Sequence, residues 1–164
     1  SNVLAGQEYG VPVMGTMAHS LVTEADSEYE AFLNYVKAYP NNCVLLVDTY
    51  DVLKSGVPNA IRVAKEYLIP NGYQLKGIRI DSGDLAYLSK EAKKMFVKAG
   101  LPDVKICLSN GLNEKTIKAL KENGIKLAFT INEGNVKKGA NKYKLPRVRI
   151  ASWTTYSAFK KLVQ

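Results

Sequence analysis

The one histidine of the 164-residue chain, His19, lies in the stretch Gly15-Thr16-Met17-Ala18-His19-Ser20 and is the first residue to consider for chemistry. Near neutral pH an uncharged imidazole can act as a base, a metal ligand or a phosphoryl acceptor. A single histidine is also a common surface or core residue, so its type alone leaves a structural role open. Its predicted place in a Gly-Thr loop after an apolar run favours a functional role.

Four carboxylates form a second group, in the stretches Asp48-Thr49-Tyr50-Asp51 and Asp81-Ser82-Gly83-Asp84. Such a set suits Mg²⁺, sugar hydroxyls or both, because hard cations take oxygen ligands. Each stretch also precedes a predicted helix. The acids could therefore be helix N-caps instead, and this alternative applies most to Asp51 and Asp84.

Arg79 comes at the end of an apolar run, among these acids. Its guanidinium could hold a carboxylate or a phosphate through two hydrogen bonds. The alternative is a structural ion pair with Asp81 or Asp48. Three glycines in the polar stretches would let the backbone approach an anion closely, although turns use glycine generally; they are Gly15, Gly83 and Gly111.

Several other chemistries lack their sequence signatures. The chain has no Walker A sequence and no Gly-x-Gly-x-x-Gly after a strand. A Ser-His-Asp site has no nucleophile elbow to support it. Cys43 and Cys107 lie far apart in or beside apolar runs, which offers no zinc ligand set and predicts buried, reduced thiols.

The elements that must position these residues are short apolar, β-branched runs, typical of strands buried on both faces. Strands are predicted at 11–14, 43–47, 77–80, 104–108 and, with a weaker pattern, 125–130. Helices are predicted between them, at 27–39, 57–68, 86–99 and 113–122. Ser27 is a predicted N-cap, Pro58 belongs to a first turn, and Gly100 is a C-cap signal.

This alternation of strands and helices, at a period of roughly 30 residues, predicts an α/β fold with a parallel sheet. A βα barrel and an open doubly wound sheet both fit the pattern. In either fold the ligand site lies at the carboxyl ends of the strands. His19, the two acidic stretches and Ser109-Asn110-Gly111 each follow a predicted strand. They are therefore expected to lie close together at the carboxyl ends of the strands and to form one site.

Charge is spread unevenly along the chain, which has a formal net charge of +8. Residues 129–164 carry eight Lys or Arg against one acid, so residues 1–128 are nearly neutral. We divide the chain there into a domain and a basic tail, and expect no nucleic-acid partner for the domain. The chain shows no signal peptide and no apolar stretch of membrane-spanning length. We expect a cytoplasmic protein without a membrane partner.

Four stretches, in this order and spacing, are similar to those of nicotinate phosphoribosyltransferases: Gly-Thr-Met-Ala-His-Ser, Leu-Val-Asp-Thr-Tyr-Asp, Ile-Arg-Ile-Asp-Ser-Gly-Asp-Leu and Ser-Asn-Gly-Leu-Asn-Glu. The opening Ser-Asn-Val-Leu-Ala-Gly also resembles the helix before the His stretch in that family. The similarity covers residues 1–127. It implies a partial (β/α) barrel of the type II phosphoribosyltransferase kind, present here as an incomplete central segment.

The resemblance implies a reaction in which nicotinate and phosphoribosyl pyrophosphate give nicotinate mononucleotide and pyrophosphate, the entry step of NAD salvage. The family couples this reaction to ATP hydrolysis through a phosphorylated histidine. ATP is then a co-substrate, Mg²⁺ a cofactor, and the expected assembly a homo-oligomer.

Residue roles follow from the same resemblance. His19 matches the phosphoryl acceptor, while Arg79 and Asp81 match residues near nicotinate and ribose. Asp48 and Asp51 match acids that face the histidine and the pyrophosphate or metal. The remaining implied substrate contacts are Gly15, Thr16, Ser82, Gly83, Asp84, Asn110 and Gly111.

Two parts of the family pattern are absent from this sequence. The family's N-terminal half and its glycine-rich phosphate loop have no counterpart, and residues 128–138 stand in place of the loop. The basic tail could be a frameshifted or prematurely ended reading, a divergent segment over the barrel edge, or a binder of phosphate or nucleic acid. Two other interpretations of the chain stay open: nicotinamide phosphoribosyltransferase, and an inactive fragment or binding module.

Overall fold

The computed structural model describes residues 2–10, 16–109, 129–133, 138–139, 145–147 and 157. The chain divides into two units: Gly15–Gly111 forms one, and Ser1–Met14 with Leu112–Gln164 forms the other. The predicted strand at 11–14 and the predicted helix at 113–122 lie outside the described residues, as does the 125–128 part of the weak strand.

The unit Gly15–Gly111 is built on a three-stranded parallel sheet, in the order β1 (Val44–Leu46), β2 (Gly77–Ile80), β3 (Lys105–Leu108). These are the strands predicted at 43–47, 77–80 and 104–108. Helices alternate with them along the chain, so the predicted α/β class is confirmed. The helices of this unit are α2 (His19–Glu24), α3 (Glu28–Ala38), α4 (Val57–Val63) and α5 (Leu85–Lys98), and α1 (Asn2–Tyr9) precedes them in the other unit.

The start of α3 and the end of α5 are fixed by the residues that the sequence predicts. The Ser27 side chain accepts a hydrogen bond from the Glu30 N–H at 3.2 Å, which caps the start of α3. At the end of α5, Gly100 takes a left-handed φ of 80°. Its N–H donates to the Val97 carbonyl, and the Leu101 N–H donates to the Phe96 carbonyl. These two bonds form a Schellman motif, which stops the helix before β3.

The helical segment around α4 is longer than predicted. A π-helical turn (Val52–Gly56) precedes α4 and a second one (Ala64–Leu68) follows it. The helix therefore begins five residues before the predicted start at residue 57. Proline in a first turn suggested that start, but Pro58 here follows a turn that Asp51 caps. A β-carbon on Gly56 would lie 1.9 Å from the Val47 carbonyl oxygen, so glycine lets this turn pack directly on the end of β1.

The core lies on both faces of the sheet. Leu45, Leu46, Val47, Ile78 and Ile80 are fully buried, which explains their continuous apolar runs. The helices cover them with a second set of fully buried side chains: Val22, Phe32, Val36, Val57, Val63, Leu68 and Phe96. Burying a side chain of this size contributes roughly 1.5–3 kcal/mol, so the sheet and its helices stabilise one another.

A buried carboxylate joins α3 to the helical segment after β1. Glu28 is 5% exposed. Its Oε2 accepts hydrogen bonds from the Ser55 hydroxyl and from Asn59 Nδ2, the latter at 3.0 Å. Because α3 follows α2, these bonds help to fix the chain around His19 relative to the residues that follow β1.

Two sequence predictions are corrected in this unit. His19 was predicted in a loop but is the first residue of α2, because residues 19–24 close a short helix before the break at Ala25. Cys107 was predicted to be buried but is exposed, because β3 is an outer strand of this sheet. Cys43 is buried, and both thiols are free, as predicted.

The other unit contains α1, which confirms the helical pattern at the start of the sequence, and two strands. β4 (Phe129–Glu133) pairs in parallel with β5 (Leu145–Arg147). β4 begins inside the predicted range 125–130. None of the helices in the described residues combines the length and the apolar character needed to span a membrane.

Candidate active site

A row of polar residues runs across the carboxyl ends of the three strands. The pairing of β1 with β2 places Asp48 level with Asp81, and the pairing of β2 with β3 places Asp81 level with Ser109. Hydrogen bonds follow this row. The Asp81 N–H donates to Asp48 Oδ2 at 2.9 Å, and the Ser109 hydroxyl donates to Asp81 Oδ1. Strand pairing therefore sets the spacing of the two carboxylates, which we call the strand-end pair (Asp48 and Asp81).

Asp48 is the more deeply buried acid of the strand-end pair, with 2% of its side chain exposed. Its Oδ2 accepts from the Ser82 hydroxyl at 2.7 Å in addition to the Asp81 N–H. Its Oδ1 is buried and has no hydrogen-bond partner among the described residues. A buried carboxylate oxygen without a partner is costly, so Oδ1 is an atom that a ligand or cation would satisfy.

Asp81 is partly exposed and ionises readily. The hydrogen bond from the Ser109 hydroxyl lowers its pKa below the ordinary value; partial burial opposes this shift, and the charge of Arg79 adds to it. Arg79 Nη2 lies 3.5 Å from Asp81 Oδ2. Asp81 is therefore a carboxylate at neutral pH, able to stabilise positive charge that develops nearby.

His19 stands over the strand-end pair. Its Nε2 lies 3.9 Å from Asp48 Oδ1 and 3.9 Å from Asp81 Oδ2. Its Nδ1 lies 3.0 Å from Thr49 Oγ1, within hydrogen-bond range. The side chain is 43% exposed, so one part of the ring is held against the sheet edge and another part stays open to solvent.

Arg79 lies beside the same acids and connects them to the His19 stretch. Its Nη1 donates to the Thr16 hydroxyl, three residues before His19. Its Nε is buried without a hydrogen-bond partner in the part of the chain that is described. The structural ion pair with Asp81 that the sequence left open is present. The unpartnered Nε is also a donor that an anionic ligand could use.

The other two acids of these loops cap helices; we call them the helix-start pair (Asp51 and Asp84). Asp51 Oδ1 accepts from the N–H groups of Leu53 and Lys54 at 3.0 and 2.8 Å. Asp84 Oδ1 accepts from the Tyr87 N–H at 3.0 Å. These are the N-cap roles that the sequence allowed as the alternative for both residues.

The structure brings together six of the twelve residues predicted for the site, at one edge of the sheet: Thr16, His19, Asp48, Arg79, Asp81 and Ser82. Gly83 has a φ of 82°, so the turn before α5 requires it. Gly15, Asn110 and Gly111 lie outside the described residues. Thr49 and Ser109 belong to stretches that were expected to converge on the site, but neither was predicted to have a role in it.

The arrangement suits the binding of a polar, phosphorylated ligand. One imidazole nitrogen faces two carboxylates, and an arginine and several hydroxyls surround them. In the described part of the chain no three His, Cys, Asp or Glu side chains are placed to hold a metal ion. A cation here would take the oxygens of the strand-end pair and further ligands from a substrate, which is the usual pattern for Mg²⁺.

Comparison with known proteins identifies a family for this chain. The model of the nicotinate phosphoribosyltransferase (NAPRTase) family matches residues 1–149. The chain is similar to nicotinate phosphoribosyltransferase of Bacillus subtilis (strain 168), with 52% identity over 127 residues, 77% of this chain and 25% of that protein. A relative from Dictyostelium discoideum with the same name is 38% identical, over 76% of this chain and 28% of its own length.

A third relative, nicotinate phosphoribosyltransferase pncB2 of Mycobacterium tuberculosis (strain ATCC 25618 / H37Rv), is 47% identical over 73% of this chain and 25% of its own length. The chain thus spans 25–28% of the length of these three relatives. The family match covers most of the chain, including the His19 stretch and all three strand ends. On this evidence the chain belongs to the nicotinate phosphoribosyltransferase family.

Proposed function

We propose that this chain carries catalytic residues for the reaction of nicotinate with phosphoribosyl pyrophosphate, which gives nicotinate mononucleotide and pyrophosphate and is coupled to ATP hydrolysis. One observation carries the proposal: His19 Nε2 lies 3.9 Å from both carboxylates of the strand-end pair, at the ends of two paired parallel strands. Family membership supplies the reaction class.

His19 is proposed as the phosphoryl acceptor. Its exposure allows a nucleotide phosphate to reach the ring, and Thr49 holds the ring in place. A phosphoryl group adds a charge of roughly −1.5 to −2. Beside the strand-end pair this charge is repelled unless a cation accompanies it. The phosphorylated and free forms therefore differ in affinity for anionic and cationic ligands, which is how ATP hydrolysis would alter substrate binding.

Asp81 and Arg79 are proposed to act on the sugar and the base. Displacement at the anomeric carbon passes through a state with positive charge on the ribose, which an ionised carboxylate stabilises. Asp81 meets this need because its lowered pKa keeps it ionised. The unpartnered Arg79 Nε supports a contact with the carboxylate of nicotinate or with a phosphate.

Of the two acids predicted as Mg²⁺ ligands, Asp48 fits this role better than Asp51. Asp48 Oδ1 is buried and unpartnered among the described residues, so Asp48 and Asp81 would hold the ion. Asp51 fits less well, because its Oδ1 already accepts two backbone N–H groups. When bound, Mg²⁺ neutralises charge on the leaving pyrophosphate.

We also propose that the chain forms part of a (β/α) barrel, that the protein is cytoplasmic and that it assembles as a homo-oligomer, as the family resemblance implies. The parallel order β1–β2–β3, with α4 and α5 in the two connections, supports the barrel interpretation. Size-exclusion chromatography with light scattering tests the assembly, and a mass equal to one chain contradicts it.

The activity test is incubation of the chain with ATP, Mg²⁺ and phosphoribosyl pyrophosphate, comparing nicotinate with nicotinamide as the acceptor. We expect nicotinate mononucleotide as the product. Preference for nicotinamide would establish the other enzymatic interpretation. No product from either base, with a folded chain by circular dichroism, would refute activity of this chain and favour a binding module.

The phosphoryl-acceptor role has its own test. Incubation with [γ-³²P]ATP is expected to give an acid-labile, base-stable label on the wild-type chain and none on His19→Ala. His19 is the only histidine, so the variant removes every histidine from the chain. Equal labelling of the two proteins would refute the role.

A further inference from the structure

The hydrogen bond between His19 Nδ1 and Thr49 Oγ1 joins two parts of the site that are 30 residues apart in sequence. Thr49 directly follows Asp48, whose carboxylate accepts from the Asp81 N–H and the Ser82 hydroxyl and so ties this part of the chain to the end of β2. His19 begins a helix of six residues whose N-cap, Ala18, makes no side-chain capping bond. Thr49 is thus the better anchored of the two partners, and it can hold the ring against the sheet edge.

Among the described residues, this bond to Thr49 is the one direct hydrogen bond of the ring. The carboxylates of the strand-end pair lie 3.9 Å from Nε2, beyond the length of a hydrogen bond. They attract positive charge but do not by themselves define the ring plane. A hydroxyl at 3.0 Å does define it, because its bond with Nδ1 is directional.

The negative charges of Asp48 and Asp81, which lie near Nε2, decide which tautomer of the ring is favoured. With Nε2 protonated, the N–H dipole points its positive end at two carboxylates. With Nε2 unprotonated, its lone pair faces the same two negative charges, which repel it. A neutral ring therefore keeps its proton on Nε2, and the bare Nδ1 accepts a hydrogen bond from the Thr49 hydroxyl.

We propose that Thr49 is a positioning residue for His19: its hydroxyl holds the ring with Nε2 turned toward the strand-end pair, and in the ligand-free chain it donates to Nδ1 while Nε2 carries the proton. A hydroxyl can also accept, so it keeps the same ring orientation when water carries the proton from Nε2 to Nδ1. The bare Nε2 is then the nitrogen that can attack the γ-phosphorus of ATP, with ADP as the leaving group. The consequence for phosphoryl transfer rests on the proposed function; the orientation itself does not.

Long-range ¹H–¹⁵N correlation spectra test the orientation directly. The chain has one histidine, so a ¹⁵N-labelled chain without a polyhistidine tag gives a single imidazole pattern. We expect a bare Nδ1 and a protonated Nε2 in the wild type and in Thr49→Ser. In Thr49→Val the two ¹⁵N shifts should move toward each other, as the ring exchanges between tautomers. Unchanged shifts in Thr49→Val, or a bare Nε2 in the wild type, would overturn the proposal.

Thr23→Val is the matched control for this test. Thr23 lies in α2 with His19, but its hydroxyl donates to the Ser20 carbonyl at 3.0 Å and is exposed. Its removal should leave the imidazole shifts unchanged. If circular dichroism shows that Thr49→Val does not fold, Thr49→Ala makes the same comparison with a smaller side chain.

Phosphohistidine formation from [γ-³²P]ATP gives a second readout. Thr49→Val should lower the rate roughly tenfold to a hundredfold, by analogy with the loss of outer-shell partners that orient metal-binding histidines. Thr49→Ser should restore most of it, and Thr23→Val should match the wild type. A rate in Thr49→Val equal to the wild type contradicts the positioning role. No label on the wild type would overturn the proposed function, while the imidazole spectra would still decide the role of Thr49.

Discussion

The two acidic loops of this protein each contain one aspartate that faces His19 and one that caps a helix. Residues 48–51 and 81–84 share the pattern Asp-x-x-Asp, which begins within two residues of the end of a strand. In both loops the first acid, a member of the strand-end pair, faces His19. The last acid, a member of the helix-start pair, accepts backbone N–H groups. Identical side chains three residues apart therefore have different tasks.

Burial shows what separates the two tasks. The Asp48 side chain is 2% exposed and keeps an unpartnered oxygen, whereas the Asp51 side chain is 49% exposed and has its bonds supplied by the adjacent helix turn. A buried, incompletely bonded carboxylate destabilises the fold, and a capping carboxylate stabilises it. Protein stability alone accounts for the helix-start pair, but it does not account for Asp48. This contrast supports Asp48 as a candidate functional residue.

The largest effect is expected from removing one charge of the strand-end pair. Asp48→Asn should lower the rate of His19 phosphorylation by about 10³-fold, roughly 4 kcal/mol, since a neutral amide no longer stabilises the positive charge that the imidazole ring gains as it attacks phosphorus. Labelling with [γ-³²P]ATP under single-turnover conditions measures this.

Asp51→Asn is the matched comparison in the same loop. Asparagine caps helices about as well as aspartate, so the fold should keep its stability and the rate should fall far less than in Asp48→Asn. Equal losses in the two variants would show that the total charge of the loop matters and that the division between the pairs is wrong.

The second prediction concerns the close packing of Gly56, in the π-helical turn that Asp51 caps, against the backbone of Val47 at the end of β1. Gly56→Ala should lower the free energy of unfolding by about 3 kcal/mol, because the added methyl group meets backbone at a site that cannot move freely. The nearest atom, the Val47 carbonyl oxygen, is 1.9 Å from the built β-carbon. Urea denaturation followed by circular dichroism measures the loss.

Gly72→Ala is a control for backbone strain alone. Gly72 has a φ of 79° and no atom within 4 Å of a built β-carbon. A left-handed alanine should cost about 1 kcal/mol. A loss in Gly56→Ala no larger than this would mean that the π-helical turn adjusts without strain and that the close approach is unimportant.

The helix-start pair should respond to alanine but not to asparagine. Asp51→Ala and Asp84→Ala should each cost about 1 kcal/mol of unfolding free energy, whereas the asparagine variants should stay within a few tenths. Asp51 should show the larger loss, because it accepts two N–H groups and Asp84 accepts one. Thermal denaturation at pH 7 compares all four variants. Equal losses from alanine and asparagine would contradict the capping role.

The smallest effect is expected at the third strand end. Ser109→Ala removes the main hydrogen bond that lowers the pKa of Asp81, so that pKa should rise toward the ordinary aspartate value. Titration of the Asp81 carboxyl by ¹³C NMR measures the shift. An unchanged pKa would mean that Arg79 alone keeps Asp81 ionised.

The rise in the pKa of Asp81 in Ser109→Ala should also change how the free energy of unfolding depends on pH. A folded-state pKa below the unfolded value stabilises the protein above the unfolded pKa, near 3.9, and this contribution disappears as pH falls through the folded value. Ser109→Ala should therefore be less stable than the wild type at pH 6, with a difference that shrinks below pH 4. A difference that grows in acid would contradict this linkage.

The three strands of the described sheet could be predicted from their apolar runs. Burial on both faces explains those runs in β1 and β2, whereas the residues of β3 alternate between exposed and half-buried. The runs 43–47, 77–80 and 104–108 contain β1, β2 and β3. Ser27 and Gly100 act locally, and the helix ends that they signal were predicted for the same reason. The start of the helical segment at Val52 was missed, because a π-helical turn has no residue pattern of its own. The exposure of Cys107 was missed as well, because it depends on which strand lies at the sheet edge.

The sequence predicted which loops form the site, but it did not predict which side chains in those loops contact one another. His19, Asp48, Asp81 and Arg79 stood out by type and by position after strands, and the structure places them together. Thr49 did not stand out, because a threonine next to an aspartate is ordinary in sequence. Its importance depends on the 3.0 Å approach of a ring from another element.

The sequence by itself determined the alternating strands and helices, the polar residues at the strand ends and the family to which the chain belongs. Those properties depend on residue type and local order along the chain. Only the tertiary structure decided which aspartate in each loop faces His19 and which one caps a helix. That choice depends on the register between β1 and β2 and on where each helix begins. Both are set by packing between residues distant in sequence, which a pattern of neighbouring residues does not contain.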